Sequence, residues 1–188
     1  MSAPLGEKLK NVRRGEFKMG DLFEIQHTLS FNKSSLTAGD KYDYVTRTSL
    51  NQGILQTTGF VNKENLNPAG IWSLGLLQMD FFYRKNPWYA GQFVRKIIPK
   101  IQIPKNAIMY FSAVLNKQKD KLLSVLVRDV DKTFCNLSLD LPITSNGEID
   151  FSFMETFIRE LEEERIRELA AYLTASGLTD YHLTPPRN

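Results

Sequence analysis

Between residues 81 and 119 the chain carries no acidic side chain, yet Arg84, Lys85, Arg95, Lys96, Lys100, Lys105, Lys117 and Lys119 all fall inside that window. An uninterrupted positive field suits a polyanion, because no neighbouring carboxylate cancels it. The net charge of +3 conceals this asymmetry. Residues 1–150 hold 20 Lys/Arg against 14 Asp/Glu, and residues 151–188 hold 4 against 7. A solvated basic face is the plain alternative reading of the same window.

Groups able to make and break bonds are scarce. Cys135 is the only cysteine, and His27 and His182 are the only histidines, far apart in sequence, so a Cys/His pair or a zinc cluster is not expected. The flanks Thr133, Phe134, Asn136 and Leu137 have the composition of a strand, which predicts a buried, inert thiol. A lone cysteine fits a reducing cytoplasm. No GxxxxGK[ST] or GxGxxG loop is present to cradle a nucleotide. Pro185-Pro186 lacks both the preceding acid or amide and the following aromatic of an amino-methyltransferase motif. Glu16-Phe17-Lys18 has the local spacing of a metal-dependent nuclease, but no acidic residue lies suitably upstream. Asp129 and Asp131, flanked by Arg128 and Lys132, read as an exposed turn. No catalytic residue, metal or cofactor is therefore expected. No apolar run reaches the length of a membrane span, and the first 18 residues read as a polar lead-in without a secretory core.

The elements that must carry these residues follow from hydropathy patterning. Residues 17–25 read as a short strand, a turn at Gly20-Asp21 and a helical turn. Residues 27–43 are polar and read as an exposed loop. Strands are predicted at 44–46, 54–61, 80–83, 94–98 and 132–139, and a buried strand pair over 71–77 that bends at Gly75. Helices are predicted at 107–115 and 122–127, and a turn at 140–147. The clearest signal is C-terminal. Ser152 and Glu155 match a capping box. Beyond them Met154, Phe157, Ile158, Leu161, Ile166, Leu169, Ala170 and Leu173 recur at helical spacing, with no Pro or Gly before Gly177.

Three blocks in order resemble a known family. Met19-Gly20-Asp21-Leu22-Phe23-Glu24-Ile25 is similar to the opening of the target recognition domains in type I restriction–modification specificity subunits. Tyr44-Val45-Thr46-Arg47-Thr48-Ser49 and Asn51-Gln52-Gly53 resemble the next block, with Gln52 where the family has a second Asn. Leu139-Asp140-Leu141-Pro142, Gly147, Asp150 and Phe153-Met154-Glu155 resemble the closing block before the spacer helix. Residues 70–99 look like the subset tied to type IIB-like systems.

The resemblance implies an α+β fold. A mixed, strongly curved β-sheet with flanking short helices would occupy residues 1–150 as the target recognition domain. One long helix over 151–176 would act as spacer and dimerisation element, followed by a loosely ordered tail over 177–188. It also implies a non-catalytic, cytoplasmic protein that reads double-stranded DNA. Its partners would be a methyltransferase (modification) subunit and, in many systems, a motor–nuclease subunit. Full specificity subunits carry two such domains. One such domain implies either a half-subunit that forms a homodimer through Met154, Phe157, Ile158, Leu161, Leu169 and Leu173, or a piece of a longer chain.

Arg reads guanine and Asn or Gln reads adenine in the major groove, while cations fix register on phosphates. Expected base contacts are Asn32, Lys33, Arg47, Thr48, Asn51, Gln52, Arg84 and Gln92. Expected phosphate contacts are Lys85, Arg95, Lys96, Lys100, Lys117 and Arg128. Tyr83, Trp88 and Tyr89 would flank a sugar or position a base. A block shared across targets cannot encode the target, so Asn51 and Arg47 have a competing role in holding a loop. The alternative function is a protein-interaction adaptor that uses only the C-terminal helix.

Overall fold

Alternation places apolar side chains on both faces of one sheet, and this dictates the layering. A computed structural model describes residues 3–178. The chain opens with α1 (Ala3–Asn11), then β1 (Arg14–Lys18), α2 (Met19–Leu22), β2 (Phe23–His27), β3 (Tyr42–Val45) and β4 (Ile54–Thr58). Next come β5 (Ile71–Gly75), β6 (Asp80–Arg84), β7 (Trp88–Ala90) and β8 (Val94–Pro99). The last elements are α3 (Ile108–Asn116), α4 (Lys119–Leu123), α5 (Val130–Asn136), β9 (Ser138–Pro142) and α6 (Phe151–Ala175). The strands form three hydrogen-bonded sheets: an antiparallel sheet β2-β8-β5-β6, a mixed sheet β4-β3-β7 and a pair β1-β9. This is the expected α+β class.

All five residues of β5 are buried, as a strand covered on both faces must be. Trp72 and Leu74 enter the main core with Phe23, Phe81, Ile97 and Phe111. Ile71 faces the second, smaller core with Val45, Trp88, Ala90 and Val94. The four-stranded sheet is therefore the middle layer, with α3, α5 and the start of α6 beneath it and the β4-β3-β7 sheet above.

Several expectations are corrected. The polar lead-in contains a helix: Leu5 on α1 is buried, and Lys8 Nζ pairs with Glu160 at 2.6 Å, docking α1 on α6. Residues 132–139 are not one strand. Val130 and Phe134, four apart, both enter the core on α5, and only then does β9 alternate Leu139 and Leu141 inward. The β-forming composition yields to tertiary packing. Cys135 consequently sits exposed on α5 and is not a buried strand thiol. The helix at 122–127 is shorter and earlier than predicted, at Lys119–Leu123. Helix α6 is capped by Asp150, not Ser152: the Asp150 carboxylate accepts from Phe153 N at 2.8 Å. Starting the helix there lets Phe151 stack on Phe111 with ring centroids 6.2 Å apart.

The C-terminal helix is divided along its length. Met154, Phe157 and Ile158 are buried and Leu161 packs against the same core. Ile166, Leu169 and Tyr172 are 67%, 58% and 64% exposed, so the distal turns carry uncovered apolar surface. Most of the expected tail, with His182, lies outside the described residues. Among the described residues no helix is long and apolar enough to cross a membrane.

Candidate nucleic-acid interface

The loops at one edge of the middle and upper sheets enclose an open cleft of about 630 Å³. It is lined by Asn32, Lys33, Tyr44, Thr46, Arg47, Thr48, Ser49, Leu50, Leu55, Leu77, Gln78, Gly91 and Gln92. None of these is acidic. The sequence-predicted Asn32, Lys33, Arg47, Thr48 and Gln92 thus come together, although they lie on three separate segments.

Each wall is held by buried groups. Asn32 and Lys33 follow Phe31, whose N–H donates to Ala90 O at 3.2 Å and whose carbonyl accepts from Tyr44 OH at 2.7 Å. Burial pushes the Tyr44 hydroxyl above its ordinary pKa. Gly91 lies under that hydroxyl, and a Cβ there would stand 2.9 Å from it. The second wall runs from Arg47 to Gly53. Asn51, Gln52 and Gly53 are consecutive left-handed residues, with φ of 46°, 54° and 80°. The turn closes through Thr46 N to Gly53 O at 2.8 Å and Asn51 Nδ2 to Ile54 O at 3.3 Å. Asn51 therefore spends its side chain on its own loop, the role that competed with base reading. Ser49 Oγ donates to Asp80, whose other oxygen accepts from Lys119 Nζ at 2.6 Å.

The third wall is the four-residue turn between β5 and β6. Leu76 and Met79 are buried while Leu77 and Gln78 are exposed. Met79 N donates to Gly75 O at 2.8 Å, and Met79 takes φ 53°. A Cβ on Gly75 would lie 3.0 Å from Arg47 Cα, so this turn rests directly on the Arg47 loop. Phe93, with φ 61°, sets its ring 5.1 Å from the Arg47 guanidinium. Asn51, Gln52, Met79 and Phe93 are the non-glycine residues with positive φ among those described, and all four flank the cleft. Backbone strain of this kind collects at functional sites because it aims side chains that a relaxed loop would not.

Other candidates lie elsewhere. Arg84 is not an exposed reader. It is 3% exposed, donates from Nε to Ser73 Oγ at 2.9 Å and from Nη2 to the Gln52 carbonyl, and lies over the Phe82 and Trp88 rings. Burial lowers its pKa to about 10, opposed by nearby Asp43. Tyr89 is fully buried: its hydroxyl donates to Asn62 O at 2.8 Å and accepts from Val61 N and Asn62 N. Trp88 is buried beside it. Arg95 pairs with Asp131 at 3.0 Å, and His27 approaches the same carboxylate at 3.2 Å. Lys100 Nζ donates to Gly20 O, and Lys96 is half-buried on β8. Lys85 lines a different hollow, between the start of α3 and α6. Sequence reasoning missed Leu50, Leu55, Leu77 and Gln78. Gly75 marks a bend, but the apolar Leu76 and Leu77 beyond it read as more of the strand.

A family model for the type I restriction modification DNA specificity domain matches residues 12–171. The chain belongs to this family. The match spans β1 to the distal part of α6 and so contains the whole cleft. No curated protein matches the sequence. Among solved structures, the chain is similar to a type I restriction–modification system S subunit from M. genitalium, with 14% identity, TM-score 0.56, and coverage of 96% of this chain and 49% of that one. It is also similar to the HsdS subunit from Thermoanaerobacter tengcongensis, with 12% identity, TM-score 0.56, and coverage of 86% and 39%. At these identities the likeness is one of fold. The chain spans about half the length of these subunits, or less.

Proposed function

We propose that this specificity-domain chain reads a short DNA sequence for a restriction–modification complex and leaves the chemistry to its partners. The observation that carries the reading is the cleft. Two cations, several amide and hydroxyl groups and no carboxylate line one concave edge, and strained loops braced from below hold them there. Phosphates would take Lys33 and Arg47, and base edges would take the amides. Residues 1–150 form the reading part under this proposal. Residues 151–176 form the spacer, whose uncovered Ile166, Leu169 and Tyr172 pair with a second copy. A methyltransferase subunit, and in a full system a motor–nuclease subunit, complete the assembly.

The test is duplex selection. The purified chain, alone and with the methyltransferase subunit, is offered double-stranded DNA with a randomised centre at moderate salt. Enrichment of a short sequence, with affinity falling steeply as salt rises, is the expected result. Equal retention of all duplexes in both conditions refutes the proposal.

A further inference from the structure

We infer that the β5–β6 turn is a specificity finger whose tip reads one A·T base pair, Gln78 on the adenine edge and Leu77 on the thymine methyl. The inference rests on the reading of the cleft given above and adds the residues and the base pair.

The geometry of the turn supports it. A hairpin end normally hides its apolar residues or lacks them. Here the two ends of the turn face in and its middle faces out: Leu76 and Met79 go into the core at 3% and 2% exposure, and Leu77 stands 56% exposed at the tip beside Gln78. The anchors are fixed at both ends, by Leu76 N to Phe93 O at 2.9 Å and by Met79 N to Gly75 O at 2.8 Å. Met79 accepts a left-handed backbone that leucine-like side chains avoid, and this keeps Leu77 and Gln78 pointing outward. The tip is therefore preorganised, and little ordering entropy is lost when it binds.

The surroundings say what it meets. Leu77 and Gln78 share the cleft with Lys33 and Arg47, and the neck of the finger touches the Arg47 backbone. A polyanion held by those cations brings its groove against the tip. The major groove of B-DNA admits a two-stranded β-ribbon. There a Gln amide matches adenine N6 and N7, and an apolar side chain matches the thymine methyl group. Both partners belong to the same base pair, and adjacent side chains at the end of a turn can reach both.

The experiment is selection from the randomised duplex pool with the wild-type chain, Leu77→Ala and Gln78→Ala, each with and without the methyltransferase subunit. Both side chains are exposed and both anchors stay, so thermal melting should match wild type. The expected result is a wild-type site in which each variant loses preference at the same A·T pair, by roughly 10-fold. Base analogues give a second readout on the wild-type chain. Uracil in place of that thymine should weaken wild type and leave Leu77→Ala indifferent. 7-Deazaadenine in place of the adenine should weaken wild type and leave Gln78→Ala indifferent. Retention of wild-type preference by both variants overturns the finger while the cleft reading stands. Uniform weakening across all duplexes overturns it too, as does a loss confined to a G·C pair. If wild type enriches no sequence, the cleft reading and the finger fail together.

Discussion

Replacing Arg84 by alanine separates two roles that its residue type allows: a base reader at the surface or a brace inside the fold. The structure gives the terms. Its guanidinium makes two hydrogen bonds, to Ser73 Oγ and the Gln52 carbonyl, and lies on two aromatic rings. Hydrogen bonds from a charged donor contribute about 1.5–3 kcal/mol each, and each cation–π contact about 0.5–1 kcal/mol. Against this stands the burial of the charge. A pKa that burial pushes well below the ordinary arginine value, to about 10, corresponds to a cost of roughly 3 kcal/mol. Hydrogen bonding and stacking exceed that cost, so Arg84→Ala should destabilise the fold by about 2–4 kcal/mol, with Gln52 left to find another partner. Urea unfolding at fixed temperature would show it as a lower midpoint with an unchanged slope. Arg84→Lys, which keeps the charge but loses the fork, should fall between the two. DNA preference measured at low temperature, where the variant remains folded, should persist. A variant as stable as wild type that has lost its target preference would refute the brace and restore the reader.

Gly75→Ala should destabilise by about 1–3 kcal/mol, because the new methyl meets only backbone of the Arg47 loop; an unchanged melting curve would mean that this contact is loose. Lys33→Ala and Arg47→Ala should each lower the salt dependence of duplex binding by about one counterion, whereas Lys85→Ala, in the separate hollow, should leave the slope alone; a fall with Lys85→Ala would place DNA on the wrong surface. Leu161→Glu should cost about 2 kcal/mol or more of stability, since Leu161 packs on the core, while Leu169→Glu should spare stability and reduce the solution mass of any self-associated form. A mass unaffected by Leu169→Glu would remove the distal turns from the interface.

Three of the four strands of the middle sheet were legible because their apolar patterning and aromatic content leave few alternatives; β2 was not, since it falls where the patterning predicts a helical turn. β5, β6 and β8 lie within a residue or two of where composition puts them. The long helix was legible for the same reason, although its cap moved to Asp150. α5 was not, because Thr133, Phe134 and Cys135 favour a strand locally and only the joint burial of Val130 and Phe134 makes a helix. α1 was hidden among charged residues, since the two leucines that dock it, Leu5 and Leu9, are too few to show a period. At the candidate cleft, the polar loop residues that the sequence singles out, Asn32, Lys33, Arg47, Thr48 and Gln92, come together. Arg84 and Tyr89 were misplaced because residue type does not tell on which face of a strand a polar side chain ends: Arg84 lies between the two sheets, and Tyr89 lies on the opposite face of β7 under the loops that carry Phe31 and Asn62. Leu77 and Gln78 were missed because the bend expected at Gly75 extends through a four-residue turn closed by Met79 in a left-handed conformation, and Leu76 and Leu77 have the composition of a strand.

The buried brace under the cleft has a consequence for how such a reader changes its target. Arg84, Tyr44, Leu76 and Met79 face inward and fix the path of the loops. Lys33, Arg47, Leu77, Gln78 and Gln92 face outward and carry almost none of the packing. The two sets barely overlap, so mutation can exchange the outward residues one at a time with small losses of folding free energy. Under the proposed reading of the cleft, inheritance can hold the frame constant while the recognised word drifts.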